Sequence, residues 1–147
     1  MKVKKIIVLV AMFFAIAFFY NMANAYTVKI DDIKAKEGEQ FTVNFVMDTQ
    51  TYLANGRIKF DNSKIKFVKA DQEHMTSSLT EDNELSWIYI DTTGEGTKKF
   101  EFVFEVIAQG ESELTFEELA LVDIDGNEYT KDNIYGNTSI KINKKSN

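Results

Sequence analysis

The sequence predicts an all-β fold in which eight or nine short strands pack as a two-sheet β-sandwich. Beyond residue 25, apolar side chains recur at every second position, and the longer spacing of an amphipathic helix is missing. Glycine, asparagine and aspartate interrupt this alternation every eight to twelve residues, which is typical of sandwiches and barrels. The 147-residue chain has no proline and no cysteine, so its turns depend on these residues and core packing alone must hold the sheets together.

Residues 1–25 predict a cleavable secretion signal. Three lysines precede an unbroken apolar run from residue 6 to residue 20, and Ala23-Asn24-Ala25 supplies the small-x-small cleavage pattern. A membrane span needs about 20 apolar residues, so this run is short for one, and an uncleaved N-terminal anchor is the alternative. We expect a secreted, extracellular chain with a sandwich domain over residues 26–142, a charged tail over residues 143–147 and no stable membrane insertion after cleavage.

The net charge excludes several classes of partner. The signal holds three lysines and no acidic residue, so its removal changes the formal net charge from −6 to −9. A chain this acidic is repelled by phosphate backbones and by anionic lipids, so nucleic acid is not an expected partner. The lack of cysteine also excludes thiolate metal sites and disulfides.

The first half of the domain contains the clearest alternation. Residues 40–47 place Phe41, Val43, Phe45 and Met47 on one side and mainly polar residues on the other, which predicts a half-buried strand. The other strands expected in this half span residues 26–33, 53–60 and 65–70.

The second half begins with a polar segment, residues 71–84, that predicts a long loop with at most a short strand near Leu79. Gly94 and Gly96 predict a turn, and Asp125-Gly126 is typical of a hairpin. The strands expected in this half span residues 85–91, 98–106, 113–122 and 139–142.

The sequence offers little chemistry for catalysis. His74 is the only histidine and lies in the polar segment, where we expect an exposed loop residue, so no histidine-based triad or zinc site can form. Most carboxylates fall in turns or on outward strand positions. Residues 123–128 resemble the start of a calcium loop, but the position for the twelfth ligand is Ile134, so a plain hairpin turn is favoured. We therefore predict no enzyme activity, no metal and no cofactor.

One predicted strand carries apolar side chains on both faces. Leu85, Trp87 and Tyr89 share one face, and Ile88 and Ile90 share the other. Either other parts of the chain cover this strand on both sides, or one apolar sheet face docks a partner. The pattern alone favours neither interpretation.

Several stretches, taken in order, resemble one known family. They are Val28-Lys29-Ile30 with Lys36-Glu37-Gly38-Glu39-Gln40-Phe41-Thr42-Val43, Gly56-Arg57-Ile58-Lys59-Phe60-Asp61-Asn62-Ser63-Lys64-Ile65, Trp87-Ile88-Tyr89-Ile90-Asp91 with Gly94-Glu95-Gly96, and residues 99–106 and 114–128. In this order they resemble the strands and turns of a cohesin domain, the receptor module of cellulosome scaffolds, over nearly all of residues 26–142. One departure is Asn62, where the family has a proline after the turn aspartate.

The resemblance implies a nine-stranded jelly-roll sandwich that binds a protein partner through one flat sheet face, without catalysis, in polysaccharide degradation. In cohesins that partner is a dockerin, a calcium-loaded helical module, so calcium would belong to the partner. The resemblance also places Trp87 and Tyr89 in the core, which favours the docking interpretation of their strand. The partner-binding residues that it implies are Asn55, Arg57, Lys59, Leu79, Ile88, Ile90, Asp91, Leu121 and Asp123.

Two alternatives use the same kind of sandwich, because such folds host many functions. The first is direct binding of a polysaccharide, with Tyr52, Tyr129 and Tyr135 as the rings available for stacking on sugars. The second is a structural subunit of a cell-surface assembly.

Overall fold

A computed structural model describes residues 26–130, 134–136 and 139–144; the predicted signal and the last three residues of the predicted tail lie outside these ranges. The described residues form strands, turns and connecting segments and contain no helix, which confirms the all-β prediction. Membrane-spanning helices are therefore not found in this part of the chain. The strands are β1 (Tyr26–Lys29), β2 (Ile33–Ala35), β3 (Gln40–Phe60), β4 (Ile65–Lys69), β5 (Met75–Leu79), β6 (Leu85–Ile90), β7 (Thr97–Val106), β8 (Ser112–Asp123), β9 (Glu128–Tyr129), β10 (Ile134–Gly136) and β11 (Ser139–Lys144).

The central element is β3, a single strand of 21 residues that belongs to both layers of the sandwich. Its first half pairs antiparallel with β1 and β7, and its second half pairs antiparallel with β6 and β8. The expectation of two separate strands over residues 40–47 and 53–60 is therefore wrong. Residues 48–52 are extended like the rest of β3, and a register shift between Val46 and Thr51 marks where the strand passes from one layer to the other.

Two layers result from this arrangement. The first layer consists of β10, β1, the first half of β3, β7 and β4. The second layer consists of β5, β6, the second half of β3 and β8, and β8 also pairs with β9 and β11. The predicted sandwich is confirmed, although β3 joins its layers into one hydrogen-bonded network of eleven strands instead of about nine.

Two further elements differ from the sequence prediction. Residues 26–33 do not form one strand, because β1 pairs with β3 and β10 whereas β2 pairs with β11. Residues 71–84 are mainly loop, as predicted, but β5 is longer than the short strand expected near Leu79 and pairs with β6 along its whole length. The sequence of β5, Met-Thr-Ser-Ser-Leu, has little apolar alternation, so only the pairing with β6 defines it as a strand.

Aromatic rings from the two layers meet in the core. The ring of Trp87 in β6 lies 5.0 Å from that of Phe100 and 5.4 Å from that of Phe102, both in β7. Phe45 in β3 and Phe116 in β8 approach to 4.7 Å between ring centroids. These five residues are buried, and each such side chain contributes roughly 1.5–3 kcal/mol to folding.

The packing of Trp87 depends on a glycine in the neighbouring strand. Gly56 in β3 lies opposite Trp87 in the β3–β6 ladder. A Cβ atom at position 56 would lie 3.1 Å from the indole ring, which is tighter than ordinary van der Waals contact. The absence of a side chain at position 56 leaves room for the indole ring of Trp87.

We expect Phe102→Ala to lower the free energy of unfolding by about 3–5 kcal/mol, because it leaves a cavity beside two other buried rings. Phe102 is fully buried and contacts Trp87 and Phe116. Urea denaturation measures the effect. Val103→Ala is the matched control, since this half-buried neighbour points to the other face of β7 and should cost about 1 kcal/mol or less. Equal losses in both variants would contradict the proposed core.

Candidate functional site

One strand of the second layer has a buried side and an open apolar side. Trp87 and Tyr89 are 2% and 3% exposed, as the sequence predicts for core residues. Ile88 and Ile90, on the other side of β6, are 40% and 44% exposed. The first interpretation of this strand, burial on both sides by the same chain, is therefore not supported by the described residues.

Residues directly opposite each other in paired strands share a face of the sheet, so the ladders define the surroundings of these isoleucines. Asn55 lies opposite Ile88, and Leu53 lies opposite Ile90. We call the outward side of this layer the outer face. Its side chains are Leu53, Asn55, Arg57, Lys59, Thr76, Ser78, Glu84, Ser86, Ile88, Ile90, Thr115, Glu117, Ala120 and Val122.

The outer face is divided by chemistry along the strands. Leu53, Ala120 and Val122 lie in the same rows as the two isoleucines and make one end apolar. The opposite end is charged. A partner that covers the whole outer face must therefore present an apolar patch to one end and polar groups to the other.

Arg57 organises the charged end. Its Nε atom lies 3.2 Å from a carboxylate oxygen of Glu118, and its Nη1 atom lies 4.0 Å from a carboxylate oxygen of Glu84. Glu118 adopts a left-handed backbone with φ of 51°, at a bulge where β8 has extra residues opposite β3. The bulge directs the Glu118 side chain towards Arg57, and because both are exposed, this ion pair contributes at most about 1 kcal/mol to folding.

The same bulge explains why two of the expected site residues do not face outwards. Leu114 and Phe116 point into the core, so uninterrupted alternation would place Leu121 and Asp123 outside. The bulge lies in β8 between Phe116 and Leu121, and beyond it the opposite set of side chains points into the core. Leu121 and Asp123 are therefore buried, at 1% and 3% exposure, and the expectation that they face a partner is wrong.

Asp91 and Leu79 also differ from the expectation. Asp91 follows the phase of Trp87 and is buried, so it does not lie on the outer face. Leu79 lies opposite Leu85, a core residue, so it is on the core side of the sheet and is 54% exposed only because β5 is at the edge. Of the expected residues, the outer face brings together Asn55, Arg57, Lys59, Ile88 and Ile90.

Asp91 instead holds the turn that follows β6. One carboxylate oxygen accepts hydrogen bonds from the Thr93 hydroxyl and amide, at 2.6 and 2.8 Å, and the other accepts one from the Gly96 amide at 2.8 Å. The Thr93 hydroxyl has the largest part in holding the pKa of Asp91 below its ordinary value, against the opposing effect of burial. Gly96 is required here, because its φ is 71° and a Cβ atom would lie 2.8 Å from the Thr51 carbonyl oxygen.

Asp123 has the same role in the hairpin between β8 and β9. Its two oxygens accept hydrogen bonds from the amides of Asp125 and Asn127, the Asn127 side chain and the Tyr129 hydroxyl, at 2.9–3.1 Å. Burial raises the pKa of Asp123, but these hydrogen bonds outweigh it and leave the pKa below its ordinary value. The predicted hairpin is confirmed, and its central carboxylate is fully engaged by protein donors. Among the described residues, no three metal-binding side chains form a cluster.

The residues proposed for sugar stacking do not form a platform. Tyr52 is half-buried, and Tyr129 is buried with its hydroxyl bound to Asp123, which overturns the expectation of an exposed ring. The side chain of Tyr135 lies outside the described residues. His74 is exposed at the start of β5, with its Nε2 atom 3.8 Å from a carboxylate oxygen of Asp91.

Several outer-face residues were missed from the sequence. Leu53, Ala120 and Val122 complete the apolar end, and Glu118 contacts Arg57. Leu53 could have been found, since it is on the outward phase of a predicted strand. Ala120 and Val122 could not have been found in this way, because no local signal marks the bulge in β8 that turns them outwards.

We expect the chain to lose stability as the pH falls from about 5 to about 2. Asp91 and Asp123 both have a lower pKa in the folded chain than the ordinary value of 3.8, so their contribution is complete above that value and is lost as the pH falls through the folded-state pKa. Asp123→Asn removes one titrating group and should therefore reduce the acid-induced loss, as measured by urea denaturation at each pH. An unchanged acid-induced loss in this variant would contradict the assignment.

Neither a protein-family model nor a curated protein matches the chain. Solved structures do match it in fold. One is a chain of a type I cohesin–dockerin complex, Coh-OlpA-Doc918 from Clostridium thermocellum, with a TM-score of 0.66 and 20% sequence identity, covering 82% of this chain and 99% of the other. Another is the third ScaC cohesin in complex with the ScaB dockerin from Acetivibrio cellulolyticus, with a TM-score of 0.66 and 16% identity, over 82% and 99% of the two chains.

A third similar structure comes from outside cellulosomes. It is a non-cellulosomal cohesin from the archaeon Archaeoglobus fulgidus, with a TM-score of 0.64 and 17% identity, covering 83% of this chain and 92% of the other. The similarity extends over nearly the full length of each of these chains, at a sequence identity that supports a conclusion about fold alone. The described chain has the β-sandwich jelly-roll fold of cohesin domains.

Proposed function

We propose that this chain is a secreted, non-catalytic binding module that docks a dockerin-type protein on its outer face, in a system for polysaccharide degradation. The observation that carries the proposal is the exposure of Ile88 and Ile90 at the apolar end of a sheet face whose other end is charged. Tight protein interfaces have this composition, with an apolar centre surrounded by polar and charged residues.

The choice of a dockerin-type partner rests on the comparisons. Several of the similar solved structures are cohesins in complex with dockerins. Because this chain shares their fold, a corresponding sheet is available to it, and five of the nine residues that the family resemblance implies lie on the outer face. Calcium would be held by the partner.

The rest of the proposal rests on sequence. Secretion is supported by the apolar run and the Ala23-Asn24-Ala25 pattern before residue 26. A binding role without catalysis is supported by the use of the buried carboxylates, since Asp91 and Asp123 bind turn donors instead of facing a substrate. A protein partner is preferred to a polysaccharide because the outer-face positions carry aliphatic, hydroxyl, amide and charged side chains but no aromatic ring.

We expect Ile88→Asp to weaken partner binding by at least about 2 kcal/mol, or about 30-fold, because it places a charge in the apolar part of the interface. Val46→Asp is the matched control. Val46 is 41% exposed, close to the 40% of Ile88, but it lies in the half of β3 that belongs to the first layer. This control should bind like the unsubstituted chain.

Isothermal titration calorimetry with calcium-loaded dockerins measures the effect, and circular dichroism establishes that both variants fold. A dockerin that binds the unsubstituted chain should lose that binding when a chelator removes its calcium. Normal binding by folded Ile88→Asp would show that the outer face is not the interface. Failure of every dockerin, together with chelator-independent capture of another secreted protein, would refute the dockerin-type partner.

A further inference from the structure

The free side of β5 presents unpaired backbone groups. Within the described part of the chain, β5 pairs with β6 alone. Hydrogen bonds from the Thr80 amide to the Glu84 carbonyl and from the Ile90 amide to the His74 carbonyl show that even-numbered residues bond towards β6. By the alternation of an antiparallel ladder, the amides and carbonyls of Ser77 and Leu79 point the other way, towards the open edge.

This edge lacks the features that usually prevent strand addition. Edge strands are commonly protected by charged side chains, proline or a bulge. β4, whose one partner among residues 26–130, 134–136 and 139–144 is β7, carries Lys66 and Lys69 and has a register shift before Lys69. β5 has no charged residue and no proline, and its register with β6 is regular from Met75 to Leu79. The edges at β4 and β5 therefore differ, and the edge at β5 is open to another strand.

Acidic residues lie at both ends of the open edge. Asp71 and Glu73 precede β5, and Glu81 and Asp82 follow it, and all four are exposed. Asp71 has a partner in Lys69, at 3.2 Å, whereas Glu81 and Asp82 follow the strand in a turn that has no basic residue. A segment with basic residues at both ends would complement this pattern.

A second copy of this chain does not fit the edge well. Antiparallel pairing of two β5 strands about Ser77 would place Glu73 of one copy opposite Glu81 of the other, at both ends of the pair. The edge is better suited to a segment of a different protein.

We propose that the edge of β5 is a second binding site, distinct from the outer face, that takes an extended protein segment with basic ends by strand addition. The backbone groups of Ser77 and Leu79 bind the segment as the next strand of the second layer. Leu79, 54% exposed on the core side, is covered by an apolar residue of the segment, and every second residue of the segment points the same way. The expected segment is therefore short and alternating, with lysine or arginine before and after it.

The test uses a blocked peptide of alternating valine and threonine with a pair of lysines at each end, titrated against the chain at low salt. A matched peptide has glutamates in place of the lysines, and another carries N-methyl groups on alternate amides of the lysine version. We expect the lysine peptide to bind about tenfold more tightly than the glutamate peptide, and the N-methylated peptide not to bind. Absence of binding by the lysine peptide at about millimolar concentration, or equal binding of all three, would overturn the proposal.

The site is located by amide hydrogen exchange in the unsubstituted chain. The amides of Ser77 and Leu79 should exchange rapidly in the free chain and slowly with saturating lysine peptide, while the amides of β4 remain unchanged. Protection of Ser77 and Leu79 in the free chain that increases with protein concentration would assign the edge to a second copy and overturn the proposal.

Two substitutions separate this site from the outer face. Ser77→Pro removes an outward amide without breaking the β5–β6 ladder and should abolish peptide binding, whereas Ser78→Ala leaves the backbone intact and should bind normally. Ile88→Asp should also bind the peptide normally, because its side chain lies on the outer face. Should Ile88→Asp lose the peptide while Ser77→Pro retains it, the peptide would belong to the outer face and not to the edge.

Discussion

The packing of aromatic rings between the two layers is the interaction on which the rest of the structure depends. β3 belongs to both layers, so its inward side chains, from Phe45 to Ile58, contribute to one continuous core. Trp87 meets Phe100 and Phe102 across that core. A shift of one residue in β3 or β7 would exchange most of its inward side chains for polar ones, so the core determines the register of these two strands.

The outer face follows from that register. Because Trp87 and Tyr89 are held inwards, Ile88 and Ile90 must point outwards, where the core cannot use them. The buried aspartates stabilise turns instead. Asp91 and Asp123 accept hydrogen bonds from amides in the turns at the ends of β6 and β8. Exposed aliphatic residues on a sheet face are suited to binding, whereas these two carboxylates are engaged by donors in the turns.

The accuracy of the sequence interpretation varied with how local the determining interaction is. Strand phase was predicted correctly where alternation is strict, as at Phe41 to Phe45 and at Trp87 to Ile90, because burial of large side chains sets it directly. It was wrong at Leu121 and Asp123, because a bulge in β8 opposite β3 reverses the phase of the strand. The length of β5 was underestimated because its residues have weak strand preference. Pairing with β6 compensates for that weak preference.

The sequence by itself determined the all-β class, the inward aromatic residues, the glycine and aspartate turns and the apolar positions of β6. These features depend on side-chain size, polarity and backbone preference over a few residues. Only the tertiary structure decided that β3 continues through both layers, that Glu118 contacts Arg57 while Asp123 is buried, and that β5 has an open edge with acidic ends. Pairing between distant strands sets each of these features, and such pairing depends on the shape of the assembled core and not on any local pattern.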